Sequence, residues 1–301
     1  MSQMAKNTHF ARQQPPRLKR LPVFYSEKMI GSVASFSPSA GKPRAVLASW
    51  QKLDIPLELH DVEPVTNALL VMAHATEYVE GIFAGSIANG FRSKDPALAE
   101  TCRYTVGAML AAAREAVRNR QVAIAPVSGF HHASHNAAFG YCTFNGLLVT
   151  ALALKELGLI STIGILDCDV HYGDGSQDII NRLGLKHWIQ HVSMGQHWTT
   201  LPEHAEQFLA DLPQIMTSFA GCNLLLYQAG ADPHINDPLG GFLSSEQMLR
   251  RDRIVFEYCR RFALPVAWNL AGGYQRDEAG SIRPVLELHD QTLCECANCF
   301  L

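Results

Sequence analysis

The chain lacks several features that would narrow its function at once. It has no run of about 18 apolar residues, so the sequence predicts no membrane-spanning helix. Basic residues do not dominate, since 25 lysines and arginines stand against 28 aspartates and glutamates, and the net charge of −3 argues against a nucleic-acid binder. The eight cysteines have no regular spacing and no signal peptide precedes them. Reduced thiols and a cytoplasmic location are therefore expected.

Length favours one domain, because 301 residues are enough to bury a large core. Residues 1–20 contain five basic residues, no acid and a Gln-Gln-Pro-Pro run. This composition predicts a disordered tail, with a transit peptide as the alternative, and a folded domain over 21–301. Residues 294–299 carry three cysteines whose spacing fits no zinc motif well, and we interpret them as a partly exposed thiol-rich tail.

Alternating strand and helix patterns predict the fold class. Apolar, strand-like runs occur at 121–125, 162–166, 187–192, 223–227 and 265–269. Amphipathic helical patterns occur at 64–84, 96–119, 145–157, 202–219 and 244–262, and Pro213 predicts a kink or a break in the fourth of these. This alternation predicts an α/β domain with a mostly parallel sheet and helices on both faces.

The segment Asp167–Asp174 is the richest in chemistry. It follows the apolar run 162–166, so a buried strand would deliver carboxylates and an imidazole at its carboxyl end. Residues two apart share a face of a strand, so Asp169 and His171 can point at one ion. Oxygen and imidazole ligands suit zinc or iron acting as a Lewis acid. The alternative is a loop whose aspartates cap the next helix.

Three further segments follow other predicted strands and carry complementary groups. They are His131-His132 after 121–125, Asp232 after 223–227, and Gly272-Gly273-Tyr274 after 265–269. Each alone has an ordinary explanation: chance histidines, a helix cap and a turn with an aromatic residue. In parallel sheets, however, ligands gather beyond the carboxyl ends of the strands, so we expect these groups to share one site.

Together these segments resemble the histone deacetylase family, also called the acetylpolyamine amidohydrolase family. The resemblance rests on five motifs in one order over roughly residues 20–290: His131-His132-Ala133, Gly140-Tyr141-Cys142-Thr143-Phe144-Asn145, Asp167 to His171, Gly230-Ala231-Asp232 and Gly272-Gly273-Tyr274. Weaker support comes from Lys42-Pro43-Arg44 and His74-Ala75-Thr76-Glu77-Tyr78. The resemblance implies an arginase/deacetylase-like fold.

For the metal site, the resemblance implies a catalytic zinc held by Asp169, His171 and Asp232. Two carboxylates and one neutral imidazole would cancel the charge of the ion. It also implies a potassium ion nearby, bound by Asp167, Asp169, His171, Ser193 and Met194. An ordinary strand-end hydroxyl is an equally good interpretation of Ser193.

For the chemistry, the resemblance implies that His131 and His132 act as general base and acid. Asp167 would orient His131 and Asp174 would orient His132, each fixing a tautomer. Tyr274 would donate its hydroxyl to the carbonyl oxygen and to the developing oxyanion. No covalent nucleophile is needed, and Cys142 is interpreted as a packed small residue.

Several positions depart from the family pattern. Phe130 replaces a glycine, which predicts a narrower site floor or a shifted His131, and Tyr172 replaces a histidine that is not a ligand. The connection from Ser193 to Asp232 is short. We therefore expect a substrate tunnel with a more open rim on one side, or a rim completed by another segment or by a second subunit in a homo-oligomer. The residues expected to line that tunnel are Gly140, Tyr141 and Leu239.

The leading function is zinc-dependent removal of an acetyl or other acyl group from an N-acyl amine, with an acyl-lysine protein or a small amide as substrate. Some polyamine deacetylases of the family carry a glutamate that attracts a distant ammonium where this chain has Leu239. The resemblance therefore favours acyl-lysine or an uncharged amide over acetylpolyamines. One alternative is an arginase-like ureohydrolase, which needs two manganese ions bridged by further carboxylates. Another is a catalytically silent binding module on the same scaffold.

Overall fold

A parallel sheet forms the centre of the molecule. The computed structural model describes residues 14–198 and 201–301 of the chain. Within them the sheet has seven strands in the order β2-β1-β3-β7-β6-β4-β5, all parallel. The strands are β1 (Leu21–Phe24), β2 (Leu57–His60), β3 (Val122–Ala125), β4 (Ile163–Asp167), β5 (Ile189–Ser193), β6 (Leu224–Gly230) and β7 (Val266–Ala271). The predicted α/β class with a mostly parallel sheet is confirmed.

Helices cover both faces of this sheet. They are α1 (Lys42–Trp50), α2 (Asn67–Leu70), α3 (Thr76–Phe83), α4 (Pro96–Asn119), α5 (Gly146–Glu156), α6 (Asp174–Arg182), α7 (Met194–His197), α8 (Ala205–Ser218), α9 (Ser245–Arg261) and α10 (Arg283–Phe300). Alternate strand residues enter two separate cores, since Ala123 belongs to the core under α4 and α5 whereas Ile124 belongs to the core under α8, α9 and α10. No helix of the described residues is both long enough and apolar enough to cross a bilayer.

The helical pattern predicted over 64–84 is divided in the structure. Helices α2 and α3 are separated at residues 71–75, so the prediction of one helix was wrong. The Ala75 N–H donates to the His135 carbonyl at 2.8 Å, and His135 Nδ1 lies 2.8 Å from the Ala73 carbonyl oxygen. The Ala75 N–H and the Ala73 carbonyl therefore bond to a distant loop instead of to helical partners. Helix α8, by contrast, continues through Pro213 and is not broken there.

The cysteine-rich end is also different from its prediction. It forms the last part of α10, and Cys296 and Cys299 are buried in the core beneath α9. The interpretation as a partly exposed tail was therefore wrong, because Leu293, Cys296 and Phe300 fall on one side of a helix and pack inward together.

The described amino-terminal segment leads directly into the sheet. Strand β1 begins at Leu21, and just before it the Leu18 N–H donates to the Phe300 carbonyl at 2.8 Å. Residues 1–13, which make up most of the predicted disordered tail, lie outside the described residues.

Candidate metal and catalytic centre

The predicted site segments converge at one edge of the sheet. Strands β3, β7, β6, β4 and β5 are consecutive in the sheet order, and all run in the same direction. Their carboxyl ends therefore lie side by side, and each continues into one of the segments singled out from the sequence. The site is assembled from residues far apart in the chain because neighbouring parallel strands end together.

Three possible metal ligands face one another at this edge. Ligand atoms of Asp169, His171 and Asp232 all lie within 4.8 Å of one another. Nδ1 of His171 is 2.9 Å from Asp169 Oδ1 and 3.0 Å from Asp232 Oδ2. Both carboxylates are buried, whereas the imidazole is partly exposed. Two oxygens and one nitrogen that meet with one side open form the donor set of a catalytic divalent-metal site.

The electrostatics of this cluster favour a cation. Burial, followed by the neighbouring Asp169 carboxylate, raises the pKa of Asp232. Hydrogen bonding of the imidazole to the carboxylates of Asp169 and Asp232, which accept from its ring nitrogen, raises the pKa of His171 to about 11. The protein groups therefore place two buried carboxylates against each other, and only positive charge between them relieves the repulsion. The cluster fits a divalent metal ion on these grounds.

Each of the paired histidines has its own carboxylate. His131 Nδ1 lies 2.8 Å from Asp167 Oδ2, and His132 Nδ1 lies 2.6 Å from Asp174 Oδ1. The two imidazole rings are close, with centroids 4.0 Å apart. Asp167 ends β4 and Asp174 begins α6, so the loop between them supplies both orienting carboxylates. The predicted His–Asp pairs are thus brought together by the fold.

The surroundings shift the pKa values of the two imidazoles in opposite directions. Burial alone would lower the pKa of His131, but the carboxylates of Asp167 and Asp169 outweigh it and raise the value to about 9. Burial lowers the pKa of His132, the nearby His131 lowers it further, and Asp174 offsets only part of the effect. A neutral His132 beside a protonated His131 is the combination that these contacts favour.

The Asp167 carboxylate is further held on its other oxygen. Gln228 Nε2 donates to Asp167 Oδ1 at 2.7 Å, and Ser193 is the strand neighbour of Asp167 in β5. Ser193 is fully buried and its hydroxyl accepts the Gly173 N–H at 3.0 Å. The residues predicted for potassium therefore adjoin one another, with Met194 opening the next helix. Gln228 was not anticipated because nothing in its local pattern marks it.

Tyr274 is placed beside the metal ligands by a tight backbone approach. A Cβ on Gly272 would lie 2.1 Å from Asp232 Cγ, and Gly272 has φ of +47°, so only glycine fits there. The Tyr274 N–H donates to Asp237 Oδ2 at 2.8 Å. Burial and the carboxylate of Asp169 raise the pKa of the phenol, which keeps it a proton donor at neutral pH.

Lys42 holds the other end of this loop. Its side chain is buried, and its ammonium donates a short hydrogen bond to the Gly272 carbonyl. Burial lowers the pKa of Lys42 to about 8, although the carboxylates of Asp232 and Asp169 oppose the shift. Lys42 was noted in the sequence only as part of a weakly supporting motif, and neither Lys42 nor Asp237 was predicted to contact the loop of Tyr274. A lone lysine after a glycine and an aspartate in an Asp-Pro turn have no local signal that would reveal long-range contacts.

The residues predicted for the tunnel lie around Tyr274 and His132. The Tyr141 ring centroid is 6.1 Å from that of Tyr274, and the backbone of Gly140 packs against the His132 ring. Leu239 is exposed, and its N–H donates to Asp237 Oδ1 at 3.0 Å. These positions border the site, and their tunnel role stays a prediction.

Two expectations about the surroundings of the site have a structural answer. Phe130 does not narrow the floor, because its ring is buried in the core against Gly146, the first residue of α5. Phe36, from the loop before α1, stacks on Tyr274 with centroids 5.8 Å apart, so another segment of the chain contributes to the rim. Cys142 is buried as expected for a packing residue, and burial raises the pKa of its thiol.

The sequence is similar to those of known proteins. Residues 39–204 match the model of the histone deacetylase domain. The chain is 24% identical over 281 residues to a probable deacetylase of Methanothermobacter thermautotrophicus, covering 80% of this chain and 82% of that protein. It is 28% identical over 205 residues to histone deacetylase 2 of Arabidopsis thaliana, covering 62% and 52% respectively.

A solved structure gives the same result for the fold. The crystal structure of the HDA15 HD domain superposes with a TM-score of 0.72 at 20% identity, covering 91% of this chain and 90% of that one. Fold and sequence match thus define an α/β amidohydrolase. The chain belongs to the histone deacetylase family.

Proposed function

We propose that this protein is a zinc-dependent deacylase that hydrolyses the amide of an N-acyl amine, with acyl-lysine as the substrate class. The observation that carries the proposal is the convergence of three metal ligands, two His–Asp pairs and one phenol at the end of the sheet. Asp169, His171 and Asp232 would hold the zinc. The ion would supply Lewis-acid polarisation of the amide carbonyl and activation of water.

We assign the general base to His132. Asp174 fixes the proton on Nδ1, which leaves the Nε2 lone pair to take a proton from the attacking water. His131 has carboxylates near both nitrogens, at 2.8 Å for Asp167 and 3.8 Å for Asp169, so it is suited to remain protonated. The proton for the departing amine would come from this pair of imidazoles.

Tyr274 would donate its hydroxyl to the amide oxygen as negative charge develops there. A neutral phenol is required for this, and its raised pKa supports that state. Removing one such donor typically lowers turnover by about 10²-fold to 10³-fold. The Asp237 and Lys42 contacts described above would fix the loop from which the phenol projects.

We further propose a potassium ion bound by Asp167, Asp169, His171, Ser193 and Met194. The pairing of Asp167 with Ser193 across β4 and β5 supports this assignment, because it brings the two ends of the proposed set together. Comparing activity in potassium chloride with activity in tetramethylammonium chloride tests it. Equal rates at equal ionic strength would exclude a functional potassium site.

The proposal extends to the cellular setting. All eight cysteines are unpaired in the structure, which is compatible with a reducing compartment such as the cytoplasm. We also propose that a second subunit of a homo-oligomer contributes to the rim of the site. Measuring the oligomeric state in solution tests this.

The alternatives make different demands on the site. A dinuclear manganese ureohydrolase needs further bridging carboxylates. Among residues 14–198 and 201–301, one group of three possible ligands is found, and both His131 and His132 are engaged by carboxylates as acid–base groups. A catalytically silent binding module needs no particular set of catalytic groups, so only a measurement of activity distinguishes it from an enzyme.

A substrate panel tests the proposal. Zinc-loaded protein is assayed on acetyl-lysine peptides, longer acyl-lysine peptides and acetylpolyamines, with Tyr274→Phe as the matched control. We expect amine release from an acyl-lysine peptide and a loss of roughly 10²-fold or more in the phenylalanine variant. If fully zinc-loaded protein hydrolyses no amide, the catalytically silent binding module would be the remaining function. Two manganese ions per chain with urea release would indicate the ureohydrolase.

A further inference from the structure

A groove of about 450 Å³ lies beside the catalytic centre. Two loops form its walls: residues 89–92, between α3 and α4, and residues 138–141, between β3 and α5. We call it the rim groove. The side chains that matter below are Phe91, Arg92, Phe139 and Tyr141.

The rim groove shares one wall with the site. A Cβ on Gly140 would lie 2.4 Å from the His132 ring, so this backbone touches the imidazole directly. The Phe139 ring meets the His132 ring edge to face, with centroids 5.7 Å apart. Tyr141 lies between Phe91 and Tyr274, with centroid distances of 5.9 Å and 6.1 Å. The groove therefore adjoins the catalytic groups.

The groove is built into the fold. Asn89 is buried, and its Oδ1 accepts the N–H groups of Phe91 at 3.0 Å and of Ser93 at 3.2 Å. The Tyr141 N–H donates to the Gly90 carbonyl at 3.1 Å, which joins the two loops. Because backbone bonds fix both walls, the groove exists before any substrate arrives, and binding in it needs little ordering of the protein.

One charge marks the rim groove. Arg92 is the charged residue in its lining, and its side chain is exposed. Among the hydrogen bonds and ion pairs of the described residues, the Arg92 guanidinium has no protein partner. Its backbone has φ of +59° and is fixed by a 2.8 Å bond from its N–H to the Asn89 carbonyl. Phe139, 62% exposed, offers apolar surface in the same groove.

We propose that the rim groove binds a carboxylate carried by the substrate on the amine side of the scissile amide, with Arg92 as its partner. A planar guanidinium recognises carboxylates through paired hydrogen bonds. The inference rests on the proposed function and narrows its substrate to acyl-lysine next to an acidic group. That group is either a flanking aspartate or glutamate, or the α-carboxylate of acyl-lysine at a chain end. The same guanidinium repels polyammonium chains and so disfavours acetylpolyamines.

The test uses three acetyl-lysine peptides that differ only in the flanking residue, which is glutamate, glutamine or lysine. One further pair of substrates, acetyl-lysine with a free and with an amidated α-carboxyl, distinguishes the two sources of the carboxylate. Wild-type protein should prefer the glutamate peptide over the glutamine peptide by about 2-fold to 5-fold in kcat/KM at low salt, as expected for one exposed ion pair. The difference should lie in KM and shrink as salt is added.

The variants assign the preference to one residue. Arg92→Gln should abolish the preference for the glutamate peptide, and Arg92→Glu should favour the lysine peptide. Lys94→Gln, which removes another exposed cation two residues further along the same loop, should keep the wild-type preference. The proposal is overturned if wild-type kcat/KM is equal within both pairs, glutamate against glutamine and free against amidated α-carboxyl. It is also overturned if a preference for the carboxylate survives in Arg92→Gln.

A binding measurement separates this inference from the proposed chemistry. Equilibrium binding of the same fluorescent peptides to wild-type and Arg92→Gln protein needs no hydrolysis. A preference for the glutamate peptide that is lost in Arg92→Gln supports the rim groove even if no peptide is cleaved. Equal binding by the wild type within both pairs, glutamate against glutamine and free against amidated α-carboxyl, refutes the rim groove even if acyl-lysine peptides are cleaved efficiently.

Discussion

The backbone N–H of Tyr274 donates a 2.8 Å hydrogen bond to Oδ2 of Asp237, a buried carboxylate from the loop after β6. The other oxygen of Asp237 accepts the N–H of Leu239 at 3.0 Å. Asp237 therefore ties the loop that carries the proposed oxyanion donor to the loop that follows the metal ligand Asp232. Its position makes it a positioning residue for the phenol.

Asp237→Ala should lower kcat by roughly 10-fold to 100-fold, because a displaced donor loses much of its effect. The double variant with Tyr274→Phe separates positioning from general damage. If Asp237 acts through the phenol, Asp237→Ala should cost little more once the hydroxyl is gone. Fully additive losses in the double variant would show an independent role. Glu278→Ala, at an exposed position further along the loop of Tyr274, is the control.

Asp232→Ala should lose most of its zinc together with its activity. The site would retain one carboxylate and one imidazole, which is too few ligands for a stable zinc site. The measurement is zinc content by elemental analysis after dialysis, with circular dichroism to verify the fold. His132→Ala, which alters no proposed ligand, is the matched control and should keep its metal. Equal zinc content in both variants would remove Asp232 from the ligand set.

In metal-free protein, the Asp232 carboxylate should lower the free energy of unfolding. Burial and Asp169 raise the pKa of Asp232, so its ionised form is less favourable folded than unfolded. Stability is therefore lost as the pH rises from the unfolded pKa through the folded one. At pH 8 without metal, Asp232→Asn should unfold at higher urea concentration than the wild type. A lower midpoint would contradict this account.

His132→Ala should lose nearly all turnover with its zinc retained. In the wild type, the acid limb of the pH–rate profile should report a pKa below the ordinary histidine value of 6.5, since burial and His131 disfavour the protonated form. Asp174→Asn should move this limb to still lower pH, because the carboxylate raises the pKa of His132. A limb unmoved by this substitution would exclude His132 as the titrating base.

His74 should make the fold sensitive to acid. Its Nδ1 lies 2.9 Å from the Ser134 carbonyl, and its Nε2 accepts the Asn145 N–H at 2.9 Å, so the ring is held neutral. Burial lowers its pKa from 6.5 to about 4. The unfolded chain binds the proton first, so stability is complete above about pH 6.5 and falls by about 3 kcal/mol towards pH 4.

Urea unfolding at pH 7.5 and pH 5 measures this effect. His74→Gln should be less stable than the wild type at pH 7.5 but should lose less on acidification. His187→Gln, at an exposed position, should keep the wild-type difference between the two pH values. The same acid sensitivity in His74→Gln and the wild type would assign the effect to other buried histidines.

Much of the site could be predicted because its chemistry is local in the sequence. Asp169 and His171 adjoin one apolar run, His131 and His132 follow another, and parallel strands bring such ends together whatever the details of packing. The helical patterns over 96–119 and 244–262 were also correct to within a residue or two, since each has an amphipathic face and a capping residue.

The tertiary structure alone decided which distant residues support these groups. Lys42 reaches Gly272 across 230 positions in the chain, and Asp237 reaches Tyr274 across 37. The rim groove forms only where the loop of Arg92 meets the loop of Tyr141. Periodicity reports which side of an element is buried, but it does not report which element packs against it. The types of the catalytic residues and their order in the chain were thus determined by the sequence. Contacts between separate segments determined how those residues are positioned relative to one another and where the charge of Arg92 lies at the rim.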